Sequence, residues 1–414
     1  MPNPQSNRTV AWETRYARRV SGVPSSAIRE LLKVVQTPGM ISLAGGMPPP
    51  EIFPIQAMQA ACQHVLTKRG REAMQYGTTE GYTPLRQFIV EWMSRFGLQL
   101  DESNVLITSG GIQGLDLAAR LLINPGDPIV VESPTFLGAL QSFTISQAQF
   151  LPVPIDDEQG ICPERLEAAL RQRPALIYLI PTFQNPTGVT LSAQRRREII
   201  ELANRYQVPI VEDDPYSHLR LEGEELPPLV RLDADLRGGT GEGLQGNVIY
   251  VGSFSKMLGP GLRVGWLVGP AEVIHRLTVL KQGTDVHTGV VAQMIVHQVT
   301  QDDFMVGHTE RLRAALRVRR GAMLGALERH FPPGVQWTRP EGGLFLWVTL
   351  PPTIDAADLL AEALEQEVAF VPGQPFYADG SGQHTLRLNY SYPTPEQIET
   401  AIERLGKILA WRLK

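Results

Sequence analysis

Residues 248–268 read VIYVGSFSKMLGPGLRVGWLV, and this stretch decides the fold. An apolar run, VIYV at 248–251, precedes a polar loop with one lysine and two serines, and a second, mostly apolar run, LRVGWLV, covers 262–268. Continuous runs of valine, isoleucine and leucine are typical of strands that are covered on both faces. We therefore expect two buried strands joined by a polar loop.

Runs of the same kind recur upstream. They are VLIT (105–108), PIVV (128–131), ALIYLI (175–180) and VPIV (208–211). Helix-like segments alternate with them, including residues 192–206 and a segment that carries Ile112, Leu115, Ala119 and Leu122 at helical spacing. Strands that alternate with helices favour an α/β domain with a parallel sheet over about residues 60–300.

The chain has a different character after about residue 302. Helices are predicted near 303–330, 355–366 and 395–412, with the strand-like segments VQWT, LFLWVTL and TLRLNY between them. This order is typical of a smaller α+β domain. The predicted parts are an N-terminal segment (1–55) that joins the small domain, a large domain (56–302) and the small C-terminal domain (303–414).

Bulk composition excludes several classes of protein. The 414 residues carry a formal net charge of −5, so no strong basic field points to nucleic acid. No stretch approaches the roughly 20 apolar residues of a membrane span, and the charged N-terminus does not resemble a secretory signal. Cys62 and Cys162 belong to no CxxC pair, so we expect reduced thiols and a cytoplasmic location.

Unusual residues follow nearly every predicted strand. They are Ser109-Gly110-Gly111, Glu132-Ser133-Pro134-Thr135-Phe136, Asn185-Pro186-Thr187-Gly188, Glu212-Asp213-Asp214-Pro215-Tyr216 and Gly252-Ser253-Phe254-Ser255-Lys256. Ligands of open α/β sheets bind outside the carboxyl ends of the strands. Each motif alone has an ordinary interpretation as a turn, a helix cap or a solvated side chain, and their shared position favours function.

Chemistry connects three of these motifs. Asp213 at a buried strand end needs a cationic partner, because an unpaired buried carboxylate is costly. Lys256 lies near Ser253, Ser255 and Arg263, which are suited to a phosphate. A lysine in such a partly desolvated, cationic pocket has a lowered pKa and becomes a nucleophile and base. A lysine, phosphate donors and a buried acid together indicate a site for pyridoxal 5'-phosphate (PLP).

At these residues the sequence resembles the fold-type I PLP enzymes, specifically the class I/II aminotransferases. The resemblance covers nearly the whole chain and is strongest to the branch of 2-aminoadipate and kynurenine aminotransferases. The matching stretches are SAIRELLKVVQTPGMISLAGGMPPPEIFP (26–54), MQYGTTEGYTPLR (74–86), QNPTG (184–188), EDDPY (212–216), GSFSKMLGPGLRVGW (252–266) and LRLNY (386–390). The resemblance implies a large domain built on a mainly parallel, seven-stranded sheet.

The resemblance also implies a role for each residue that holds the cofactor. Lys256 is the Schiff-base lysine, Asp213 pairs with the pyridine nitrogen, Asn185 and Tyr216 bond the phenolate oxygen, and Phe136 stacks on the ring. The phosphate is held by Ser253, Ser255, Arg263, the residues Gly110, Gly111 and Ile112, and Tyr76 of a second subunit. Lys256, Asp213 and Tyr216 are the expected catalytic residues, and no metal site is predicted.

For the substrate, the resemblance implies that Arg387 binds the α-carboxylate as a bidentate pair. Gly46, Asn185 and Tyr76 line the substrate pocket, and Arg29 matches an arginine that meets acidic side chains in the 2-aminoadipate branch. Tyr76 would make the active unit a homodimer. The sequence departs from the family pattern at Phe136, where tyrosine is common, at Gly111-Ile112, which replaces Ser-Gln, and at 222–247, a predicted surface excursion.

Transamination is the expected function. An L-amino acid such as 2-aminoadipate, an aromatic or a branched-chain amino acid would pass its amino group to 2-oxoglutarate by a ping-pong mechanism. Another PLP reaction on the same fold, β-elimination or decarboxylation, remains an alternative. A PLP-binding transcription regulator is a weaker one, because we expect no room for a DNA-binding domain before residue 25. A nicotinamide-dependent dehydrogenase is weaker still, because GxGxxG is missing.

Overall fold

The computed structural model describes residues 10–21, 39–156, 159–237 and 244–414. The strands of this part of the chain are β1 (Ile41–Ser42), β2 (Val105–Thr108), β3 (Pro128–Ser133), β4 (Gln149–Asp156), β5 (Gly160–Ile161), β6 (Ile177–Leu179), β7 (Ile210–Asp214), β8 (Val248–Ser253), β9 (Gly265–Val268), β10 (Gln336–Trp337), β11 (Phe345–Thr349), β12 (Val368–Ala369), β13 (Val371–Pro372) and β14 (Thr385–Asn389). The α-helices are α1 (Arg18–Ser21), α2 (Ile55–Ala73), α3 (Thr83–Ser94), α4 (Gly111–Leu122), α5 (Leu137–Ile145), α6 (Pro163–Leu170), α7 (Ala193–Tyr206), α8 (Leu229–Leu236), α9 (Ala271–Gln282), α10 (Val290–Val299), α11 (Phe304–His330), α12 (Ala356–Glu365) and α13 (Pro395–Arg412).

A large sheet has the strand order β2-β9-β8-β7-β6-β3-β4-β5. Neighbours from β8 to β4 pair in parallel, whereas β9 is antiparallel to both of its neighbours. All residues of β2, β6, β7, β8 and β9 are buried, as their apolar runs predicted. The α/β class with a mainly parallel sheet is confirmed. Within the described residues the sheet has eight strands instead of seven, because the short β5 pairs antiparallel with the edge strand β4.

Two apolar clusters cover the two faces of this sheet. Successive side chains of a strand point to opposite faces, so Tyr178 and Val211 belong to one cluster and Ile177 and Ile210 to the other. The first cluster continues into α11 and α13, and the second includes residues of α2, α3 and α10. The sheet is therefore a buried layer that fixes the positions of the loops at its edge.

A second sheet, antiparallel and in the order β10-β11-β14-β13, lies in the C-terminal part of the chain. It shares its apolar cluster with α11 and α13. Strand β1 pairs in parallel with β12, with Ile41 opposite Val368, so the chain near residue 41 is attached to this C-terminal part. The boundaries of the three predicted parts stay a prediction.

Residues 41–47, called here the 41–47 strip, run from the C-terminal part to the edge of the large sheet. The Leu43 N–H donates to the Ala369 carbonyl (2.7 Å), and the Leu43 carbonyl accepts from the Asn389 N–H (2.8 Å). Farther along, the Met47 carbonyl accepts a hydrogen bond from the Ser391 hydroxyl (2.6 Å). The strip is thus tied to strand β14 and the residues just after it.

The stretch 222–247 differs from the surface excursion that the sequence predicted. Its middle forms helix α8, whose Leu229 and Val230 are buried against the large sheet. The buried Glu212 carboxylate accepts hydrogen bonds from the N–H groups of Leu229 (2.7 Å) and Val230 (2.9 Å). An acid at the first turn of a helix stabilises it, so the glycine-rich composition concealed a packed helix. Residues 238–243 lie outside the described part.

Three further features bear on the class of protein. No helix among the described residues is long and apolar enough to cross a membrane. The same part of the chain contains no group of three His, Cys, Asp or Glu side chains that could hold a metal ion. Cys62 and Cys162 are both free thiols. The cytoplasmic location remains a prediction.

Candidate active site

A cavity of 300 Å³ opens at the carboxyl edge of the large sheet, where the predicted motifs converge. The predicted site residues that line it are Gly46, Gly111, Ile112, Phe136, Asn185, Asp213, Tyr216, Ser253, Ser255, Lys256, Arg263 and Arg387. A larger cavity of 740 Å³, between residues 188–193 and 337–341, contains none of the predicted residues. Size therefore does not identify the reactive cavity here, whereas the convergence of ionisable groups does.

Lys256 lies in the loop after β8, and its side chain is only partly exposed, toward the cavity. Its Nζ donates a hydrogen bond to the Gly46 carbonyl oxygen at 2.6 Å. Burial is the main cause that lowers the pKa of Lys256 to about 8, and the positive charges of Arg387 and Arg263 lower it further. An appreciable fraction of this amine is therefore neutral near pH 7, as a nucleophile or base requires.

Asp213 is buried near the end of β7 and contributes to the cavity wall. Burial raises the pKa of its carboxyl to about 7, a hydrogen bond from the Tyr178 hydroxyl (2.8 Å) opposes this rise, and the charge of Asp214 adds to it. A carboxylate in such a place is stabilised by a positive partner. Asp213 is thus suited to a cationic partner, and its pairing with a ring nitrogen stays a prediction.

Arg387 on β14 faces the same cavity and is 2% exposed. Its Nη1 donates to Asn185 Oδ1 (2.8 Å), its Nη2 donates to the Ala44 carbonyl (2.7 Å), and the guanidinium lies 4.1 Å from the centre of the Phe345 ring. Burial lowers the pKa of Arg387 to about 10, so it remains a cation at neutral pH. Its Nε is buried and has no hydrogen-bond partner in the described structure. An anionic ligand would supply that partner.

Asn185 and Tyr216 form the side of the cavity between Asp213 and Arg387. The Asn185 amide donates to the Tyr216 hydroxyl oxygen at 3.4 Å. Burial raises the pKa of Tyr216 well above its usual value, so the hydroxyl stays protonated and can donate. The amide and the phenol are therefore two neutral groups that can bond an oxyanion.

The opposite end of the cavity is built for an anion. Helix α4 begins at Gly111 without a side-chain cap, which leaves its first N–H groups available. The Ser253 and Ser255 hydroxyl oxygens are 2.9 Å apart, and Arg263 donates to the Ser109 carbonyl at 3.3 Å. Hydroxyls, a guanidinium and a helix N-terminus are the donors that bind phosphate.

Gly110 does not line the cavity but makes this anion cradle possible. Its φ is +83°, and a Cβ at this position would lie 2.3 Å from Nη2 of Arg263. Gly265 of β9 is constrained in the same way, because a Cβ there would lie 2.8 Å from the Gly110 carbonyl carbon. A side chain at either position would displace the loop or the arginine from its place beside α4.

Tyr76 does not line the cavity. Tyr76 is 81% exposed, and its ring meets the ring of His287 edge-on at 5.7 Å. Tyr76 does not reach the cavity of its own chain, as expected of a residue that serves a neighbouring subunit. Arg29 lies outside the described residues.

The sequence did not single out Asp285, which supports the cradle from behind. Its Oδ2 accepts hydrogen bonds from Ser109 Oγ (2.9 Å) and Gln113 Nε2 (2.7 Å), and its other oxygen pairs with the fully buried Lys281 (2.5 Å). The spacing of Lys281 and Asp285 is an ordinary i,i+4 pair in sequence. Only the fold brings that pair behind the loop before α4.

Tyr178 was also missed, although a signal was present. It is the one residue with a hydroxyl in the apolar run ALIYLI. A phenol in a strand that is buried on both faces must find a hydrogen-bond partner. The partner, Asp213, belongs to the neighbouring strand β7, and a single sequence does not reveal that pairing.

Comparison with known proteins gives consistent relatives. The family model for aminotransferases of class I and II matches residues 39–405. The chain is 41% identical to aromatic-amino-acid aminotransferase 1 of Thermococcus litoralis over 98% of this chain and 96% of that protein. It is 40% identical to the 2-aminoadipate transaminase of Thermus thermophilus over 97% of this chain and 98% of that one.

A solved structure is similar throughout. It is the α-aminoadipate aminotransferase of Thermus thermophilus, crystallised in complex with N-(5'-phosphopyridoxyl)-L-leucine. The TM-score is 0.90 at 40% identity, and the match covers 98% of this chain and 99% of that one. The likeness therefore extends over nearly the whole chain.

Proposed function

The chain belongs to the class I and II aminotransferases and carries out PLP-dependent transamination, and from this premise we propose that the cavity around Lys256 is its active site. The observation that carries the proposal is the combination of one buried amine, one buried acid and an anion cradle in a single cavity. No other cavity described above offers these three groups.

The residues fit the cofactor at each of its ends. The cradle of α4, Ser253, Ser255 and Arg263 would hold the phosphate, and Asp213 would face the ring nitrogen. Asn185 and Tyr216 would bond the ring oxygen, and Phe136 would cover the ring. Bound PLP supplies an aldehyde that amines attack and a pyridinium ring that accepts electron density.

Lys256 performs the proton chemistry in this proposal. Its lowered pKa, about 8, leaves a neutral amine that can attack the cofactor and later act as a base. Once substrate has displaced it, the free amine would take the proton from the substrate α-carbon and deliver it to the cofactor.

Arg387 would receive the α-carboxylate of the amino acid. It is held in place by Asn185 and by the Ala44 carbonyl, and it lies over the Phe345 ring. A guanidinium that is already oriented loses little freedom when it pairs with a carboxylate. A carboxylate bound there would bring the α-carbon toward Lys256, because Arg387 and Lys256 line the same cavity and the charge of Arg387 acts on the lysine.

The Lys256→Ala variant tests the assignment. We expect the variant to lack the visible absorbance of PLP joined to the protein as a Schiff base. We also expect it to form no glutamate from 2-oxoglutarate and an amino donor. Lys68→Ala, which changes an exposed lysine on α2, is the matched control and should keep both. Retained glutamate formation in Lys256→Ala would reject Lys256 as the catalytic amine.

We propose 2-aminoadipate, or another amino acid with an acidic side chain, as one donor, on the basis of Arg29 and the named relatives. Arg29→Gln should then raise KM for 2-aminoadipate and glutamate while leucine and phenylalanine are used as before. Arg15→Gln, which changes an exposed arginine earlier in the sequence, is the control. An equal loss on leucine would show that Arg29 does not read the side chain.

We also propose a homodimer in which Tyr76 serves the neighbouring cavity. The exposure of Tyr76, and of Met74 at 77%, supports this arrangement. Mixed dimers of Tyr76→Ala and Lys256→Ala chains would then contain one fully native site, so mixing should restore activity above that of either variant alone. If Tyr76 acts in its own subunit, no native site forms and mixing restores nothing.

A further inference from the structure

The hydroxyl of Tyr178 is directed at the acid of the proposed active site. Strand β6 places Tyr178 opposite Val211 of β7, so Asp213, two residues farther along β7, lies on the same face of the sheet. The hydroxyl donates to Asp213 Oδ2 at 2.8 Å. The diagonal spacing of neighbouring strands thus brings a phenol to a carboxylate that lines the cavity.

The hydroxyl is also held in that direction. Tyr178 is fully buried, and its ring contacts Phe143 edge-on with centroids 5.3 Å apart. Within the described structure, Tyr178 is the side chain that donates to Asp213. Other ionisable groups close to Asp213 are the carboxyl groups of Asp214 and Glu132 and the phenol of Tyr216. None of the three places a positive charge beside Asp213.

We propose that Tyr178 is a positioning residue that keeps Asp213 ionised and leaves its Oδ1 for the ring nitrogen of PLP. This rests on the proposed role of Asp213. The nitrogen and the carboxyl share one proton, which lies either on the nitrogen, facing a carboxylate, or on the carboxyl, facing a neutral ring. A donor to the carboxylate favours the first arrangement. Tyr178 therefore holds the proton on the ring and maintains its capacity to accept electrons.

The chain contains a matched control for this proposal. Tyr250 of β8 is opposite Glu212, and its hydroxyl donates to Asp214 Oδ2 at 3.0 Å. This pair has the same chemistry and the same diagonal spacing, but Tyr250 belongs to the apolar cluster on the other face of the sheet. Asp214 does not line the cavity. Tyr250→Phe thus removes an equivalent hydrogen bond without facing the cofactor.

Nitrogen-15 NMR of holoenzyme reconstituted with ring-labelled PLP tests the position of the proton directly. We expect the wild type and Tyr250→Phe to show the shift of a protonated ring nitrogen. Tyr178→Phe should show a shift moved toward that of the neutral ring. Phenylalanine fits the space of tyrosine and lacks only the hydroxyl, and thermal unfolding of both variants verifies that they are folded.

Kinetics provide a second readout. The free energy of a hydrogen bond to a charged group corresponds to roughly a tenfold or larger change in rate. We therefore expect kcat of Tyr178→Phe to fall by roughly tenfold or more. KM for the amino donor should change by less than about threefold, because Tyr178 does not touch substrate. Tyr250→Phe should keep both constants.

The outcomes separate this inference from the assignment of the site. If the wild-type nitrogen is protonated but Tyr178→Phe matches Tyr250→Phe in shift and kcat, the role of Tyr178 is wrong and that of Asp213 stands. If the wild-type nitrogen is neutral, Asp213 does not hold the proton and both proposals fail.

Discussion

In the cofactor-free enzyme, the amine of Lys256 should be half protonated and half neutral near pH 8. Burial and the charges of Arg387 and Arg263 lower its pKa from 10.5 to about 8. A lowered lysine pKa means that the neutral form dominates above pH 8 and that protonation takes over only below it. Reactivity should therefore rise with pH and level off soon after pH 8.

The size of the effect follows from the two pKa values. At pH 7 a group with a pKa of about 8 is neutral in about one molecule in eleven, whereas an ordinary lysine is neutral in about one in 3,000. The cavity thus increases the reactive fraction by roughly 300-fold. Replacing Arg387 by Met removes a positive charge, so the midpoint should move to higher pH. It should stay below the ordinary value, because burial is the larger cause.

Competitive acetylation of the apoenzyme measures this directly. Acetic anhydride is applied between pH 6 and 11, and the modification of the Lys256 peptide is quantified by mass spectrometry. The exposed Lys68 on α2 reports a solvated amine in the same sample. A Lys256 profile that rises in parallel with that of Lys68 would refute the lowered pKa. An unchanged midpoint in Arg387→Met would refute the electrostatic part of the explanation.

Three other variants test the site. Asp213→Asn should lower kcat at least about a hundredfold with only modest loss of PLP, since an amide does not hold a proton on the ring nitrogen; near-normal turnover would contradict this. Gly46→Ala places a Cβ 2.8 Å from the Phe345 ring, so KM should rise more for phenylalanine than for alanine as donor, and equal changes would show that Gly46 does not limit the pocket. Asp285→Asn removes a charge-assisted support of the anion cradle and leaves the buried Lys281 without its partner, so the Kd of PLP in a fluorescence titration should rise about tenfold, and an unchanged Kd would mean that the cradle needs no such support.

Strand positions were predictable because parallel strands buried on both faces require uninterrupted apolar runs. VLIT at 105–108 coincides with β2, whereas β8 extends two residues past the apolar part of its run to Ser253. The last of these two residues, Ser253, is polar and lines the cavity. Two strands of the large sheet, β4 and β5, were not among the predicted runs. Strand β4 contains two prolines and most of its residues are exposed or only partly buried, and β5 has two residues, which carry no periodic pattern.

Within the site, the sequence singled out residues that line the cavity and missed residues that support them from behind. Lys256, Asp213 and Arg387 are charged residues in or next to apolar strand segments, and this contrast is visible in the sequence. Tyr178 and Asp285 act through partners on other elements, and their distances depend on strand register and on the loop after α9. Arg29 lies outside the described residues, and the role of Tyr76 rests on the proposed dimer.

The 41–47 strip connects Arg387, the proposed receptor of the substrate carboxylate, with Lys256, the proposed catalytic amine. On one side it is fastened to the C-terminal sheet, and on the other its Gly46 carbonyl accepts from Lys256. Its Ala44 carbonyl accepts from Arg387 as well. A displacement of the C-terminal part would therefore act on the acceptor of Arg387 and on the acceptor of Lys256 together.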